Sequence, residues 1–222
     1  MTKINTVLFD FDGTIMDTNN VILQSWQHTF RTLEGKERPE EEIYSTFGEP
    51  LNITMQKLLP QIPVEEGVAV YRSYHYSHFT DLISVFPGML ELLKEVKRRG
   101  YKIGLVTSRL LHTTEIGLKK YEMEQYFDAI ITCEDCKKFK PDPEPVIIAL
   151  ERLGSAPEES VMIGDSMFDI LCAKGAGVKT VLVNWTLGVS EEEKTGENSP
   201  DHIMETAESL LQDMAQEGIR RE

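Results

Sequence analysis

The sequence predicts an α/β protein: a Rossmann-like, doubly wound parallel sheet that carries a small inserted α-helical domain. Short β-rich segments alternate with segments of helical period, which is the pattern of strand–helix–strand crossovers. The β-rich segments are continuous runs of Val, Leu, Ile and Phe, as strands buried on both faces are. One interval, between the first strand and the second, is too long for a single crossover helix and contains no strong strand signal.

Five strands are expected, at "TVLFD" (6–10), "KIGLVT" (102–107), "DAIIT" (128–132), "SVMIGD" (160–165) and "TVLVNW" (180–185). Between them, "GMLELLKEVKRRG", "TTEIGLKKYEM", "EPVIIALERLG" and "MFDILCAKGAG" carry helical spacing. In the first of these, Leu90, Leu93, Val96 and Lys97 make the stripe of a helix that covers a sheet. Gly100 stands where a helix-terminating glycine belongs, just before the next strand. The long interval holds four amphipathic stretches, "NNVILQSWQHTFRTL", "EEEIYSTF", "LNITMQKLL" and "EEGVAVYRSYHYSHFTDLI". The expected division is therefore a catalytic core of residues 1–16 plus 85–222 and a helical cap domain of residues 17–84. Its two crossings, near 16–18 and 85–88, form a hinge for a lid.

The 222 residues include 23 Lys and Arg against 37 Asp and Glu, a formal net charge of −14. That balance argues against a nucleic-acid partner, which needs a basic face. An anionic substrate has to be met by local cations or backbone N–H groups that overcome the overall field. No run approaches the ~20 apolar residues that span a bilayer, and no basic stretch leads into a long apolar one as in a secretory signal. A cytoplasmic protein without a membrane partner is expected. Three cysteines are too few for a disulfide framework.

The chemistry gathers at strand ends. Asp10 and Asp12 close the first strand, where open α/β sheets bind ligands. A lone DxD is weak, since loop aspartates mostly cap helices or form turns. Here it is joined by Thr107, Lys140 and Asp165 at or after successive strand ends. In this respect the chain resembles the haloacid dehalogenase-like (HAD) hydrolases, a family of phosphoryl-transfer enzymes. "DFDGTIMDT" (10–18) is similar to the family's first motif, "LVTS" to its second, "KPDPEP" from Lys140 to its third, and "GDSMFDI" (164–170) to its fourth. The helical insertion sits where the family's small α-helical cap does, and the likeness runs from about residue 5 to 185.

The resemblance implies a nucleophile at Asp10, giving an aspartyl-phosphate, and a general acid, then base, at Asp12. Phosphate contacts fall to Gly13, Thr14, Thr107, Ser108 and the fixed charge of Lys140. Asp10, the backbone carbonyl of Asp12 and Asp165 make an all-oxygen site suited to Mg²⁺, with Asp169 behind them or linked through water. For Asp10 and Asp165 to share one ion, their strands must be neighbours. Gly48, Glu49 and Pro50 resemble the family's cap loop and are specificity candidates, together with His75, His78 and Arg109. Arg109 contacts a substrate anion or sits on the surface. His75 and His78 invite a metal reading, but a partly buried lid lining is the simpler one. Cys133 and Cys136 form a CxxC without companion ligands, read as structural. The acidic stretch "SEEEKTGENSPD" is read as a solvated loop.

The expected activity is a Mg²⁺-dependent phosphatase acting on a small phosphorylated metabolite, as a monomer or homodimer. The whole-chain pattern looks most like the phosphoglycolate phosphatase group, with the family's pyrophosphatases next. A phosphomutase of the β-phosphoglucomutase type uses the same nucleophile, but Gly164 before Asp165 favours hydrolysis. Haloacid dehalogenases proper do not need the Mg²⁺ site or the DxD pair. The intact set of four motifs speaks against a catalytically silent binding protein.

Overall fold

The structure, a computed structural model, describes residues 4–210. Its centre is β1 (Thr6–Phe9), four fully buried residues. This strand pairs in parallel with β4 (Lys102–Val106) on one side and β6 (Ser160–Gly164) on the other. β5 (Ala129–Ile131) lies outside β4; β7 (Lys179–Val183) and then β8 (His202–Met204) lie outside β6, and every neighbouring pair is parallel. The chain thus builds outward from β1 in one direction and returns to build in the other. The crevice at that reversal is where the carboxyl ends of the strands can hold a ligand.

Both faces are covered, which explains the unbroken apolar strands. Val7 and Phe9 face a cluster with Leu92, Leu93 and Val96 of α5 (Met89–Arg98) and Leu118 of α6 (Leu111–Lys120). Leu8 faces the other way, among Val146, Leu150 and Leu153 of α7 (Glu144–Leu153) and Cys172 and Ala173 of α8 (Met167–Gly175). The end of α5 is closed as the sequence suggests. Gly100, at φ +80°, donates to the Lys97 carbonyl and Tyr101 N–H to the Val96 carbonyl, a Schellman arrangement.

Between β1 and β4 the chain forms α1 (Asn19–Glu34), α2 (Glu40–Tyr44), α3 (Leu51–Leu58) and α4 (Val64–Leu82). These helices bury a cluster of their own, with Trp26, Phe30, Ile43, Met55, Leu59 and Tyr71 at its centre. The insertion leaves and rejoins the core through β2 (Met16–Asp17) and β3 (Ser84–Val85), a two-stranded antiparallel ribbon with Met16 opposite Val85.

The acidic stretch after β7 departs from the loop expectation. Ser190 and Glu193 form a reciprocal capping box that starts α9 (Glu191–Thr195). Beyond it, β8 adds a sixth strand, anchored by Asp201, whose Oδ2 accepts from Thr180 N–H at 2.8 Å and from its hydroxyl at 2.7 Å. Among the described residues, no helix is long and apolar enough to cross a membrane.

Candidate active site

The loop after β1 and the loop after β6 meet because those strands are paired, Phe9 opposite Ile163. Asp10 extends the ladder by one bond, its N–H donating to the Ile163 carbonyl at 2.9 Å. Gly13 then turns with φ +72°, so close to Asp165 that a Cβ there would lie 2.0 Å from Asp165 Oδ2. Only glycine permits this approach. Carboxylate oxygens of Asp10, Asp165 and Asp169 consequently lie within 4.8 Å of one another, all three residues buried.

Lys140 faces this cluster from the loop before α7. Its ammonium donates to Asp10 Oδ1 at 2.7 Å, Asp169 Oδ1 at 2.5 Å and the Val106 carbonyl at 2.7 Å. All three of its donors are thereby used. Burial works against the charge on Lys140, but Asp10 and Asp169 outweigh it and hold the ammonium protonated. Asp169 is committed on its other oxygen, which accepts from Ser166 N–H and Oγ in the capping box that opens α8. Gly164 is explained by the same packing, since a Cβ there would stand 2.4 Å from Asp169 Cβ. For Asp10, burial outweighs the pull of Lys140 and pushes the carboxyl up to about 7. Burial, then Asp169 and Asp10, lift Asp165 well above the usual carboxylate range.

Two residues on, Asp12 is half-exposed and held from the core side. Arg109 Nη1 donates to its Oδ1 at 2.6 Å, and Arg109 Nη2 to His75 Nε2 on α4 at 2.7 Å. A guanidinium only donates, so Nε2 is the unprotonated ring nitrogen and the ring proton sits on Nδ1. Nδ1 lies 3.3 Å from Ser25 Oγ, which donates onward to the Val21 carbonyl of α1. Burial, reinforced by Arg109, pushes the imidazole down to about 3, so His75 is neutral at working pH. The guanidinium also stacks on Phe79 of α4, 4.3 Å from the ring centroid.

A cavity of about 320 Å³ opens over these groups, between the sheet ends and the inserted helices. Asp10, Asp12, Gly13, Thr107, Ser108, Lys140, Asp165, Asp169, Gly48, Glu49, His75 and Arg109 all line it. Two of the sequence-predicted residues stand apart. Thr14 is fully buried, its hydroxyl without a partner, because the chain folds straight back from Asp12 to Met16. His78 turns to Tyr74, stacking on its ring at 4.0 Å, and does not join His75 in a metal pair. The N–H of Gly13 is spent on the Met16 carbonyl, so this turn does not offer it to a ligand. Arg109 lies inside the site rather than on the surface, its side chain only 9% exposed.

Sequence reasoning singled out only the histidines of the lid-lining stretch 71–79; Arg72 and Tyr76 line the cavity too, one residue beyond the buried Tyr71 and His75 of α4. It also missed Trp185 and Thr186, which brace the site from behind. Trp185 Nε1 donates to the Gly13 carbonyl at 3.0 Å and Thr186 Oγ1 to the Asp165 carbonyl at 2.5 Å. The only signal for them was their place just past a strand end. The three cysteines are free thiols; Cys133 lies on the cavity wall and Cys172 is buried.

The donor set fits a divalent cation. Of three buried carboxylates two share one ammonium, and among the described residues Asp165 has no hydrogen bond or ion pair through its side chain. Buried acids left in that state take up protons or hold a metal.

A buried carboxylate–lysine pair at the switch point of a doubly wound sheet, with a second acid two residues on, is the arrangement of a phosphoryl-transfer hydrolase. Residues 7–183 match the haloacid dehalogenase-like hydrolase family, and the chain belongs to it. It is similar to pyrophosphatase PpaX of Bacillus mycoides, 39% identical over 210 residues, which cover 94% of this chain and 96% of that protein. The fold is shared with a haloacid dehalogenase-like hydrolase from Streptococcus pneumoniae, at 26% identity and a TM-score of 0.85, covering 96% of this chain and all of that one. A Lactobacillus plantarum protein provisionally assigned as a phosphoglycolate phosphatase superposes with a TM-score of 0.82 at 26% identity, covering 96% of this chain and 99% of that one. The chain is an enzyme that hydrolyses phosphate esters.

Proposed function

We propose that this hydrolase is a Mg²⁺-dependent phosphatase that splits inorganic pyrophosphate through an aspartyl-phosphate on Asp10. The observation that carries the reading is the buried Asp10–Lys140 pair at the floor of a small cavity, in a chain so similar along its length to a pyrophosphatase. Lys140 occupies Asp10 Oδ1 and leaves the other oxygen free to attack phosphorus. Asp12 protonates the departing oxygen and then takes a proton from the hydrolytic water. The Thr107 hydroxyl and Ser108 N–H steady the transferred oxygens. Asp10, Asp165 and the Asp12 carbonyl would hold Mg²⁺, with Asp169 behind them. When bound, the ion offsets the clustered carboxylates and the charge on the phosphoryl oxygens.

Residues 17–84 act as a cap domain carried on the β2–β3 ribbon, with Gly48, Glu49, His75 and Arg109 at the boundary where substrates are chosen. Gly48 already lies against the core, where a Cβ would stand 2.8 Å from Ser166 Oγ. A second reading, a phosphoglycolate-type ester, is supported by the Lactobacillus plantarum neighbour. The test is a panel of pyrophosphate, phosphoglycolate, β-glucose 1-phosphate and p-nitrophenyl phosphate with Mg²⁺, scored by released phosphate. Pyrophosphate should give the highest kcat/KM and EDTA should abolish release. Sugar phosphate converted without release, or activity indifferent to EDTA, would overturn the reading.

A further inference from the structure

We propose that Arg109 receives the negative charge of the leaving group, and so makes the site selective for phosphoryl groups bonded to an oxyanion over those bonded to an uncharged alcohol. The oxyanion is a second phosphate or a carboxylate. The proposal rests on the reading above, in which Asp10 takes the phosphoryl group and Asp12 serves the leaving oxygen.

Three observations carry it. Lys140 has no donor left for the far end of a substrate, since Asp10, Asp169 and the Val106 carbonyl take all three. Arg109 is different. Its side chain is 9% exposed, its Nε is buried without a partner, and only one carboxylate shares it. A guanidinium has five N–H donors in a planar fork that matches phosphate and carboxylate. The second observation is place. Arg109 is one hydrogen bond from Asp12, the group that must touch the leaving oxygen, and lines the same cavity, so its guanidinium stands within reach of what is bonded next to that oxygen. In pyrophosphate that neighbour is a phosphate; in phosphoglycolate a carboxylate lies one methylene beyond that oxygen. The third is stiffness. Neutral His75 accepts from Nη2, is itself fixed through Ser25 to α1, and Phe79 stacks on the plane, so the cation is held in orientation before any ligand arrives. Arg72 adds a second positive charge to the cavity lining. In a chain of net charge −14, these local cations are what an oxyanion would meet.

The experiment compares wild type, Arg109→Met and Arg109→Lys on pyrophosphate, phosphoglycolate, glycerol 1-phosphate and ethyl phosphate with Mg²⁺. In Arg109→Met the kcat/KM ratio of an oxyanion substrate over both uncharged-leaving-group esters should fall by about 30- to 100-fold, the loss of one desolvated charge-assisted contact. Arg109→Lys should recover part of it. Whichever oxyanion substrate falls identifies the source of the charge. Pyrophosphate binding to Asp10→Asn, measured by calorimetry, should weaken in parallel when Arg109→Met is added. A uniform loss on all four substrates, as a displaced Asp12 or a damaged fold would give, overturns the proposal, and so does an unchanged ratio. The two readings fail separately: if Asp10→Asn keeps turnover, the hydrolytic mechanism is wrong, whereas a wild type indifferent to leaving-group charge removes only the role of Arg109.

Discussion

Replacing Asp10 with Asn in the metal-free protein should make the chain more tolerant of high pH. The Asp10 carboxyl is 6% exposed, and burial lifts it from an ordinary 3.8 to about 7. A carboxyl raised on folding contributes stability that is complete below its unfolded value and is lost as pH climbs through its folded one. From pH 5 to pH 8, the folded state holds that extra proton over roughly two pH units. At 1.36 kcal/mol per unit this costs wild type about 3 kcal/mol. For a chain of this length each kcal/mol moves Tm by about 2–4 °C, so the expected change is about 6–12 °C. His75 acts in the opposite sense, because its folded value is depressed from 6.5 to about 3 and stability grows as pH rises across that interval. The wild-type curve alone therefore mixes two slopes. In the difference between Asp10→Asn and wild type the His75 slope cancels, leaving Asp10 and the part of the Asp165 shift that Asp10 causes. Thermal melts in EDTA at pH 5, 6.5 and 8 should show the variant gaining about 6–12 °C on wild type across the series. Parallel curves would mean that Lys140 prevails over burial and that Asp10 is ionised throughout, which refutes the reasoning.

Two further substitutions probe the same cluster. Gly13→Ala places a methyl 2.0 Å from Asp165 Oδ2 at a φ of +72°. Asp165 must move, so the Mg²⁺ concentration for half-maximal activity should rise at least about tenfold, with a stability cost of about 1–3 kcal/mol. An unchanged Mg²⁺ titration would show that Asp165 does not hold the ion. Lys140→Met strips the ammonium from two buried carboxylates, and removing one side of a buried ion pair costs about 3–5 kcal/mol. Urea unfolding at pH 8 in EDTA should show that loss, together with abolished turnover; a deficit under about 1 kcal/mol contradicts the pairing.

Much of this was legible in the sequence because strand order and chemistry constrain each other. A strand that ends in Asp10 needs a polar place for it, and sharing an ion with Asp165 requires the neighbouring β1 and β6 that the sheet has. What escaped depended on contacts distant in sequence or on very short elements. For Arg109 the sequence names a candidate but leaves open whether it meets a substrate anion or the surface, since its partners Asp12 and His75 are 97 and 34 residues away. β8 has three residues, next to a run of acids, and its anchor is the Thr180–Asp201 pair rather than any hydrophobic period. Thr14 follows the motif in type, but the fold-back to Met16 buries its hydroxyl away from the cavity. His75 and His78 look equivalent in "YHYSH", yet only His75 lies in register with Tyr71 and Phe79, four residues to either side, on the buried face of α4.

The charge arrangement explains how so acidic a chain can receive an anion at all. A buried lysine or arginine without a counter-charge is expensive to keep ionised, so each here is stored against carboxylates: Lys140 with Asp10 and Asp169, Arg109 with Asp12. Fully ionised, Asp10, Asp12, Asp165 and Asp169 against Lys140 and Arg109 leave two negative charges, the complement of one divalent ion. Without that ion, protons on the buried Asp10 and Asp165 relieve the excess; with the carboxylates balanced by a metal, the cations can be shared with a ligand. Arg109 is the easier of the two to share, because it faces a half-exposed acid across one hydrogen bond while Lys140 is locked by three acceptors. Selectivity for the leaving group then resides with the arginine, and the chemistry at phosphorus with the lysine-held aspartate.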